Sequence, residues 1–181
     1  MLHIYMYRDP EGRKRDHAWQ HEMGERLLNY AGSLPENEEL KFSNISHSGG
    51  YVVVALSDCP VGVDIEQDRP VSANVAGRAF SELEQQLIDS DKCSLTPLQL
   101  WTLKESYGKS EGVGICYPLR SVEFIPAKEN ETGQWIEFSC SAANAHCYSL
   151  KEDDYVLSAC VQSEKNENSL PIVTKHRLDV T

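Results

Sequence analysis

The sequence predicts a protein of the α+β class, with strands and helices in different stretches of the chain. Residues 51–56 form an apolar, β-branched run with the length of a buried strand, and residues 61–66 alternate apolar with polar side chains. Capping boxes that begin at Ser81 and Thr96 predict two successive helices. Short strand candidates separated by turn residues then follow as far as residue 161.

Composition limits the classes to which this chain can belong. The 181 residues carry a formal net charge of −11, which argues against general binding to nucleic acid or to an anionic membrane. The six cysteines show no Cys-x-x-Cys pair and no zinc-like spacing, so reduced, structural thiols are expected. There is no run of about 18 apolar residues and no signal-peptide core after Met1, and a cytoplasmic protein is therefore expected.

The N-terminal region is predicted to contain a short strand over Leu2–Tyr7 and a helix from about Lys14 to Tyr30. The start of this helix carries the densest basic cluster of an acidic chain, formed by Arg13, Lys14, Arg15 and His17. A solvated helix end is the favoured interpretation of this stretch by itself, and a phosphate contact is the alternative.

The central stretch, residues 42–67, is predicted to form two strands joined by a turn. A polar turn over residues 46–50 precedes the strand at 51–56, and a second turn over residues 57–60 reverses the chain into the strand at 61–66. His47 lies in the first turn, so that a hairpin could bring it towards the end of the second strand.

The second of these strands carries two carboxylates on one face. Asp64 and Glu66 are two residues apart, which places their Cα atoms about 6–7 Å from each other on the same side, near enough to bind one ion. A half-exposed strand with a solvated acidic face has the same pattern. For the Asp-x-Glu pattern alone, that interpretation is preferred.

Three helices are predicted after the central stretch, over residues 71–80, from Ser81 to about Ile88, and from Thr96 onwards. The third helix spaces Glu105 and Lys109 one turn apart. They could be a surface pair worth a few tenths of a kcal/mol. A carboxylate and an ammonium in this arrangement would also suit a metal-bound phosphate, one holding the cation and the other the phosphate oxygens.

The C-terminal region is predicted to be rich in strands, with candidates at residues 121–125, 135–139, 147–150 and 155–161. Residues 155–159 (YVLSA) echo residues 51–55 (YVVVA), since both follow a polar turn, and two similar halves are indicated. The tail from Ser163 is polar with a late apolar segment, and it is predicted either to wrap around the body or to be mobile.

Three motifs, in this order along the chain, resemble the signature of 4′-phosphopantetheinyl transferases of the surfactin-synthetase-activating type. They are Ile45-Ser46-His47-Ser48, Val61-Gly62-Val63-Asp64-Ile65-Glu66 and Trp101-x-x-Lys104-Glu105-x-x-x-Lys109. Phe80-Ser81, and Gly112-x-Gly114 followed by Pro118-Leu119, also fit that family. Each motif alone is a weak signal, whereas three in order at compatible spacings are a strong one.

The resemblance implies a fold and an assembly. The fold is a pseudo-twofold pair of similar α+β subdomains with the active site in the cleft between them. The corresponding division is a shortened N-terminal subdomain at 1–62, a C-terminal subdomain at 63–165 and a tail at 166–181. A monomer, which is internally a pseudo-dimer, is expected.

The resemblance also implies an activity. Such enzymes move the 4′-phosphopantetheine group of coenzyme A, the donor substrate, onto a serine of an acyl, aryl or peptidyl carrier protein and release adenosine 3′,5′-bisphosphate. The reaction depends on Mg²⁺, which by similarity would be held by Asp64, Glu66 and Glu105. Glu105, or a water that it orients, is the candidate base for the carrier serine.

Further residues are assigned to coenzyme A by similarity. Lys104 and Lys109 should contact its phosphates, and Lys109 is best placed to offset charge on the leaving group. Ser46 and His47 should hold phosphate oxygens of the same donor.

The chain departs from the family in its N-terminal half. Relatives of this type usually carry a Gly-Lys-Pro segment shortly before the Ser-His-Ser motif, and residues 35–40 stand there instead. Arg13, Lys14 and Arg15 are therefore the candidate substitute for recognition of the nucleotide. Val113 occupies the place of a lysine that the family frequently has between its two late glycines.

Two other functions fit the same residues. A Mg²⁺-dependent nucleotide pyrophosphohydrolase would use the same carboxylates with water as the acceptor. A non-catalytic carrier-protein binding module would keep the fold without the nucleotide site. The presence of Asp64, Glu66, Glu105 and Lys109 argues against the second, because a pure binding module does not need these four groups together.

Overall fold

Two β-sheets and four α-helices form the main elements of the described residues, which in this computed structural model are 1–90, 95–113, 118–127, 132–163 and 172–175. The elements are, in order, β1 Leu2–Arg8, α1 His17–Gly32, β2 Phe42–Ser48, β3 Tyr51–Ser57, β4 Val61–Gln67, α2 Ala73–Ala79, α3 Glu82–Ile88, α4 Pro97–Ser110, β5 Phe124–Pro126, β6 Trp135–Cys140, β7 Ala145–Lys151, β8 Tyr155–Gln162 and β9 Ile172–Lys175. This architecture confirms the predicted α+β class. The pseudo-twofold relation between its halves stays a prediction.

The first sheet has the strand order β2-β3-β1-β9, with β3 antiparallel to both of its neighbours and β9 parallel to β1. Its two faces are both covered. Tyr5 and Val54 face α1, where they pack with Leu27, whereas Ile4 and Val53 face a core shared with the second sheet. This double burial explains why β3 is apolar along most of its length.

The second sheet is antiparallel throughout and has the strand order β4-β8-β7-β6-β5. Val63 and Leu157 face the core shared with the first sheet. Leu103 and Tyr107 of α4 pack with Phe138 on the other side of the second sheet. Helix α4 therefore lies directly against this sheet, on the face that also carries Asp64.

The central stretch contains three strands rather than the two that were predicted. The residues predicted as a polar turn, 46–48, belong to β2, and only Gly49-Gly50 turns the chain. Gly49 has φ +59°, as the first central residue of a type II′ hairpin turn requires. The predicted hairpin between residues 51–56 and 61–66 does not form, because β3 is already paired along both edges with β2 and β1.

The two sheets are joined where β2 meets β4. The side-chain oxygens of Asn44, Ser46 and Ser48 accept hydrogen bonds from successive outward-facing backbone N–H groups of β4, at 3.0, 3.2 and 3.1 Å. The donors are the N–H groups of Val63, Ile65 and Gln67. Side chains of one strand thus take the place of a backbone ladder along the free edge of the other.

Other predicted bounds shift by a few residues. Helix α1 begins at His17 rather than near Lys14, because the Asp16 side chain caps it by accepting the Trp19 N–H at 2.8 Å. The predicted strand at 121–125 begins later, at Phe124.

Within the described residues, the cysteines at 59, 140, 147 and 160 are free thiols, as expected. Cys93, Cys116 and Gly114 lie outside the described residues.

The predicted tail contributes to the first sheet, since β9 pairs with β1 in register His3↔Ile172 to Met6↔Lys175. The change from one sheet to the other falls between β3 and β4, at residues 58–60. The predicted division of the chain between residues 62 and 63 stays a prediction.

None of the helices in the described ranges combines the length and the apolar character that a membrane crossing requires.

Gly62→Ala is expected to destabilise the protein by roughly 1–3 kcal/mol or more, because it overpacks the contact between β4 and α4. A Cβ atom at Gly62 would lie 1.9 Å from the Ser106 carbonyl oxygen and 2.5 Å from the Ser110 backbone nitrogen. Equilibrium urea unfolding measures the loss.

Gly77→Ala is the matched control for this substitution. Gly77 lies within α2, and a Cβ atom there has no neighbour within 4 Å. An added methyl group should therefore leave the free energy of unfolding unchanged or raise it by about 0.5–1 kcal/mol. An equal change in the free energy of unfolding of Gly62→Ala and Gly77→Ala would contradict the close approach of α4 to β4.

Candidate active site

Carboxylates from two elements converge where α4 crosses β4. Asp64 and Glu66 project from the same face of β4, and Glu105 comes from the middle of α4. Asp64 is 6% exposed and Glu105 is 7% exposed, so both lie almost out of reach of solvent. The absence of a side chain at Gly62 allows this close crossing. The predicted grouping of Asp64 with Glu105 is therefore seen in the structure.

Lys109 supplies the positive charge at this place. Its Nζ atom donates hydrogen bonds to Asp64 Oδ1 at 2.8 Å, to the Val63 carbonyl oxygen at 3.0 Å and to Ser46 Oγ at 3.1 Å. Ser46 Oγ in turn donates to Asp64 Oδ1 at 2.9 Å. Groups from β2, β4 and α4 thus meet around one carboxylate, as the three motifs predicted.

Burial controls the protonation of the two enclosed carboxylates. It raises the pKa of Glu105 to about 7, the negative charge of Asp64 adding to the effect and Lys109 opposing it. Burial also raises the pKa of Asp64, against the opposing effects of Lys109 and Ser46. Glu105 can therefore exchange a proton near neutral pH, which is the property expected of a general base.

Glu66 is held differently, at the half-buried end of β4. Ser48 Oγ donates to its Oε2 atom at 2.8 Å, and Arg69 Nη2 donates to its Oε1 atom at 2.6 Å. Both carboxylate oxygens of Glu66 therefore have partners. The sequence singled out neither Ser48 nor Arg69 for the site, although the alternation of polar residues at 44, 46 and 48 is a signal that could have identified Ser48.

Two oxygen atoms at this site are suited to a hard cation. Asp64 Oδ2 and Glu105 Oε1 are buried and make no hydrogen bond, and such atoms are ligands that Mg²⁺ prefers. As the side chains stand, no group of three His, Cys, Asp or Glu residues in the described ranges is arranged to hold a metal ion. Lys109 and Arg69 instead pair with Asp64 and Glu66.

Lys104 is not brought to this site. It is 1% exposed, and its Nζ atom forms an ion pair with Glu84 Oε2 at 2.8 Å. It also donates to the carbonyl oxygens of Leu119 and Val122. The prediction that Lys104 contacts a phosphate does not fit this position, because the ammonium points into the protein. Through these contacts Lys104 connects α4 to α3 and to the segment before β5.

The basic cluster at the start of α1 is largely engaged within the protein. Arg15 Nη2 pairs with the buried Asp9 carboxylate at 2.9 Å and its guanidinium lies over the Trp19 ring. Arg13 pairs with Glu11 and lies 3.9 Å from Asp9. Lys14 is exposed. These contacts favour the interpretation of the basic cluster as a helix end over its interpretation as a preformed phosphate site.

His47 lies on the α1 side of β2, away from the carboxylates. Its ring packs edge-on against the ring of His17, with centroids 5.3 Å apart. Burial is the main cause that lowers the pKa of His47, followed by the charge of His17. The sequence placed His17 in the basic cluster at the start of α1 but did not predict its contact with His47, because one face of a helix cannot be matched to a separate strand from spacing alone.

Comparison with known proteins places the carboxylate site inside a matched region. The model of the 4′-phosphopantetheinyl transferase superfamily matches residues 60–160, more than half of the chain. That range contains Asp64, Glu66, Glu105 and Lys109, whereas Ser46 and His47 precede it.

Curated relatives are similar over shorter parts of their own length. The chain is 36% identical over 118 residues to the 4′-phosphopantetheinyl transferase Sfp of Bacillus subtilis (strain 168), which covers 64% of this chain and 50% of that protein. It is 40% identical over 94 residues to the 4′-phosphopantetheinyl transferase psf-1 of Bacillus pumilus, which covers 50% and 39% of the two chains. A human L-aminoadipate-semialdehyde dehydrogenase-phosphopantetheinyl transferase is 36% identical over 93 residues, with 45% and 30% covered. The matched part of this chain therefore spans half or less of the length of these relatives.

Lys104→Met is expected to destabilise the protein by about 3–5 kcal/mol, because it leaves the Glu84 carboxylate buried without its partner. The double variant Lys104→Met/Glu84→Gln removes both charges and keeps one acceptor oxygen, so it should lose less stability than the single variant. Urea unfolding compares the three proteins. A double variant at least as unstable as Lys104→Met alone would contradict a buried ion pair.

The free energy of unfolding of the metal-free protein is expected to fall as the pH rises from about 5 to 7.5. The pKa of Glu105 is about 7 in the folded protein and ordinarily 4.5, so the folded state binds the extra proton in this window and its stabilising effect is lost as the pH passes 7. The effect is on the order of 2–3 kcal/mol at most. Glu105→Gln should remove a substantial part of this slope in urea titrations at several pH values, and an unchanged slope would contradict the assignment.

Proposed function

Because this chain belongs to the 4′-phosphopantetheinyl transferase superfamily, we propose that it transfers the 4′-phosphopantetheine group of coenzyme A to a serine of an acyl, aryl or peptidyl carrier protein. The observation that carries the proposal is the meeting of two buried, unpartnered carboxylate oxygens with one lysine ammonium. These are Asp64 Oδ2, Glu105 Oε1 and Lys109 Nζ. A pyrophosphate bound with a divalent cation has the charges that this arrangement complements.

Asp64 and Glu105 would hold Mg²⁺ through their unpartnered oxygens, and Glu66 would complete the protein's ligands once Arg69 is displaced. The ion would neutralise charge on the pyrophosphate and fix its orientation. Lys109 would then leave Asp64 Oδ1 for a phosphate oxygen, a movement that its long, flexible side chain permits.

The transfer forms one bond and breaks another at the same phosphorus. The carrier serine Oγ attacks the β-phosphorus of coenzyme A, and the bond from that phosphorus to the bridging oxygen breaks, releasing adenosine 3′,5′-bisphosphate. Glu105, or a water that it orients, would take the serine proton. Lys109 offsets the negative charge that grows on the leaving phosphate.

Carrier-dependent release of adenosine 3′,5′-bisphosphate tests the proposed function. Asp64→Ala and Glu105→Ala should each lower turnover by roughly 100-fold or more, because a lost carboxylate removes both a cation ligand and its negative charge. The exposed Glu25 of α1 provides the control, since Glu25→Ala should retain wild-type turnover.

The same assay separates the two alternatives. Hydrolysis of coenzyme A without a carrier protein would indicate a nucleotide pyrophosphohydrolase. Binding of a carrier protein without any release would indicate a non-catalytic module. Near wild-type turnover of Asp64→Ala or Glu105→Ala at saturating Mg²⁺ would overturn the assignment of the site.

Lys109→Ala should lower kcat more than it raises KM for coenzyme A, if the ammonium acts mainly on charge that develops during transfer. Steady-state kinetics with the donor varied at a fixed carrier concentration measures both parameters. An increase in KM with an unchanged kcat would instead make Lys109 a contact to the bound substrate only.

A further inference from the structure

Three cysteines from neighbouring strands lie on the face of the second sheet that packs against α4. Cys140 is on β6, Cys147 on β7 and Cys160 on β8, and all three pack within the core beneath that helix. Cys147 is directly opposite Cys160 in the register of the sheet. Phe138 is directly opposite Cys147, so Cys140, two residues further along β6, lies diagonally across from Cys147 on the same face.

The three thiols form a continuous row that ends at α4. Cys147 is hydrogen-bonded to the thiol of Cys140 on one side and to that of Cys160 on the other. The Sγ atom of Cys160 lies 3.3 Å from Ser106 Oγ. The row therefore runs from β6 to the helix that carries two residues of the candidate active site.

Cys147 and Cys160 are placed for a disulfide. The hairpin between β7 and β8 closes with the Glu152 N–H donating to the Tyr155 carbonyl oxygen at 2.9 Å, which makes these two residues a hydrogen-bonded pair. Hydrogen-bonded and non-hydrogen-bonded pairs alternate along an antiparallel ladder, and the pair of Cys147 with Cys160 is an odd number of steps away. It is therefore a non-hydrogen-bonded pair, with Cα atoms about 4.5 Å apart, which is within the range that a disulfide spans.

The three thiols differ in their access to solvent. Cys140 is half-buried, whereas Cys147 and Cys160 are 0% exposed. The hydrogen bond from Cys147 is the main cause that lowers the pKa of Cys140 against the effect of burial, and the Ala142 N–H and the charge of Lys104 also lower it. Burial raises the pKa of Cys147. A small oxidant therefore meets Cys140 first, at the thiol that is more readily ionised.

We propose that Cys140, Cys147 and Cys160 form an oxidation site that hydrogen peroxide converts into a Cys147–Cys160 disulfide, with a loss of activity at the neighbouring carboxylates. The loss of activity rests on the proposed function, whereas the formation of the disulfide does not.

The conversion has three steps. The Cys140 thiolate attacks one peroxide oxygen, so that an S–O bond forms, the O–O bond breaks and hydroxide leaves, which becomes water with the proton that the thiol had lost. The Cys147 thiol then attacks the Cys140 sulfur, and a disulfide forms as the sulfenic hydroxyl leaves as water. Finally, the Cys160 sulfur attacks the Cys147 sulfur, and Cys140 leaves as a thiol with the proton that Cys160 loses. In sum, two thiols and one peroxide give one disulfide and two waters.

The disulfide would change the packing beneath α4. Its formation draws Cys160 Sγ towards β7 and away from Ser106, whose hydroxyl also donates to the Leu103 carbonyl oxygen at 2.9 Å. Ser106 directly follows Glu105 in α4. A displacement of about 1 Å at a reacting group can lower a rate by roughly 100-fold, so a small shift of α4 is enough to affect the site.

Peptide mapping tests the disulfide without any assay of activity. The full-length protein is treated with one equivalent of hydrogen peroxide, its remaining thiols are alkylated, and it is digested with trypsin in the absence of a reductant. Trypsin cleaves between Cys147 and Cys160 but not between Cys140 and Cys147. A Cys147–Cys160 disulfide therefore links the peptides 129–151 and 152–165, whereas a Cys140–Cys147 disulfide lies within the first of them. We expect the linked peptides, with fragmentation assigning Cys147, and their separation by dithiothreitol.

Substitutions test the order of the steps. Cys140→Ser should form the linked peptides about 10-fold more slowly or less, because peroxide must then reach a buried thiol. Cys160→Ala should stop at the Cys140–Cys147 disulfide. Cys59→Ser is the control, since Cys59 is a half-buried thiol in the turn between β3 and β4, and this variant should form the disulfide at the wild-type rate. Unfolding curves of the reduced variants check that they are folded.

Two readouts test the effect on α4. Carrier-dependent release should fall by about 10-fold or more when the wild type is oxidised and should return with dithiothreitol, whereas Cys140→Ser treated in the same way should keep most of its turnover. Amide hydrogen exchange of residues 97–110 should become faster on oxidation of the wild type, and this readout needs no activity.

The outcomes separate this proposal from the proposed function. Free thiols at Cys147 and Cys160 after oxidation, a disulfide to one of the other cysteines, or an unchanged rate in Cys140→Ser would each overturn the oxidation site. Full turnover and unchanged exchange of α4 in the oxidised wild type would overturn its effect on the carboxylates. If the reduced protein shows no carrier-dependent release, the proposed function is wrong, while the peptide map and the exchange of α4 still decide the oxidation site.

Discussion

The structure depends on the hydrogen bonds by which side chains of β2 replace a backbone ladder along β4. Asn44, Ser46 and Ser48 satisfy three N–H groups of β4, whose other edge is paired with β8. The Ile65 N–H is buried, and a buried N–H without a partner costs about 1–3 kcal/mol, so its contact with Ser46 helps to hold the two sheets together. The hydroxyl groups of Ser46 and Ser48 also donate to the carboxylates of β4, which links the joining of the sheets to the orientation of Asp64 and Glu66.

The site combines this junction with the close contact of α4 against Gly62 of β4. Removing water from Asp64 and Glu105 disfavours their charged forms, and Lys109 offsets part of that effect for both. The low exposure of Glu105 is therefore the main cause of its raised pKa. A second buried ion pair, Lys104 with Glu84, fixes α4 from the opposite side.

Strand alternation predicted that Asp64 and Glu66 share a face, and helix spacing predicted that Glu105 and Lys109 lie one turn apart on α4. That these residues belong to one site was implied only by the family resemblance. It did not predict β2 as a strand. The polar residues of β2 are typical of a turn, and their bonds to the backbone of a distant strand cannot be inferred from local patterns. The burial of Lys104 was missed for a similar reason, since its partner Glu84 lies in another helix. Contacts between separate elements, including that of His17 with His47, needed the three-dimensional structure.

The pairing of β9 with β1 has a consequence for how the protein unfolds. The chain leaves the first sheet after β3, builds the second sheet, and returns to the first through residues 172–175. The first sheet is thus built from two separate stretches of the chain, whereas the second is one continuous stretch, and loss of β9 would expose the edge of β1. Because the core between the sheets draws on both of them, we expect the two halves to lose their structure together in one cooperative transition.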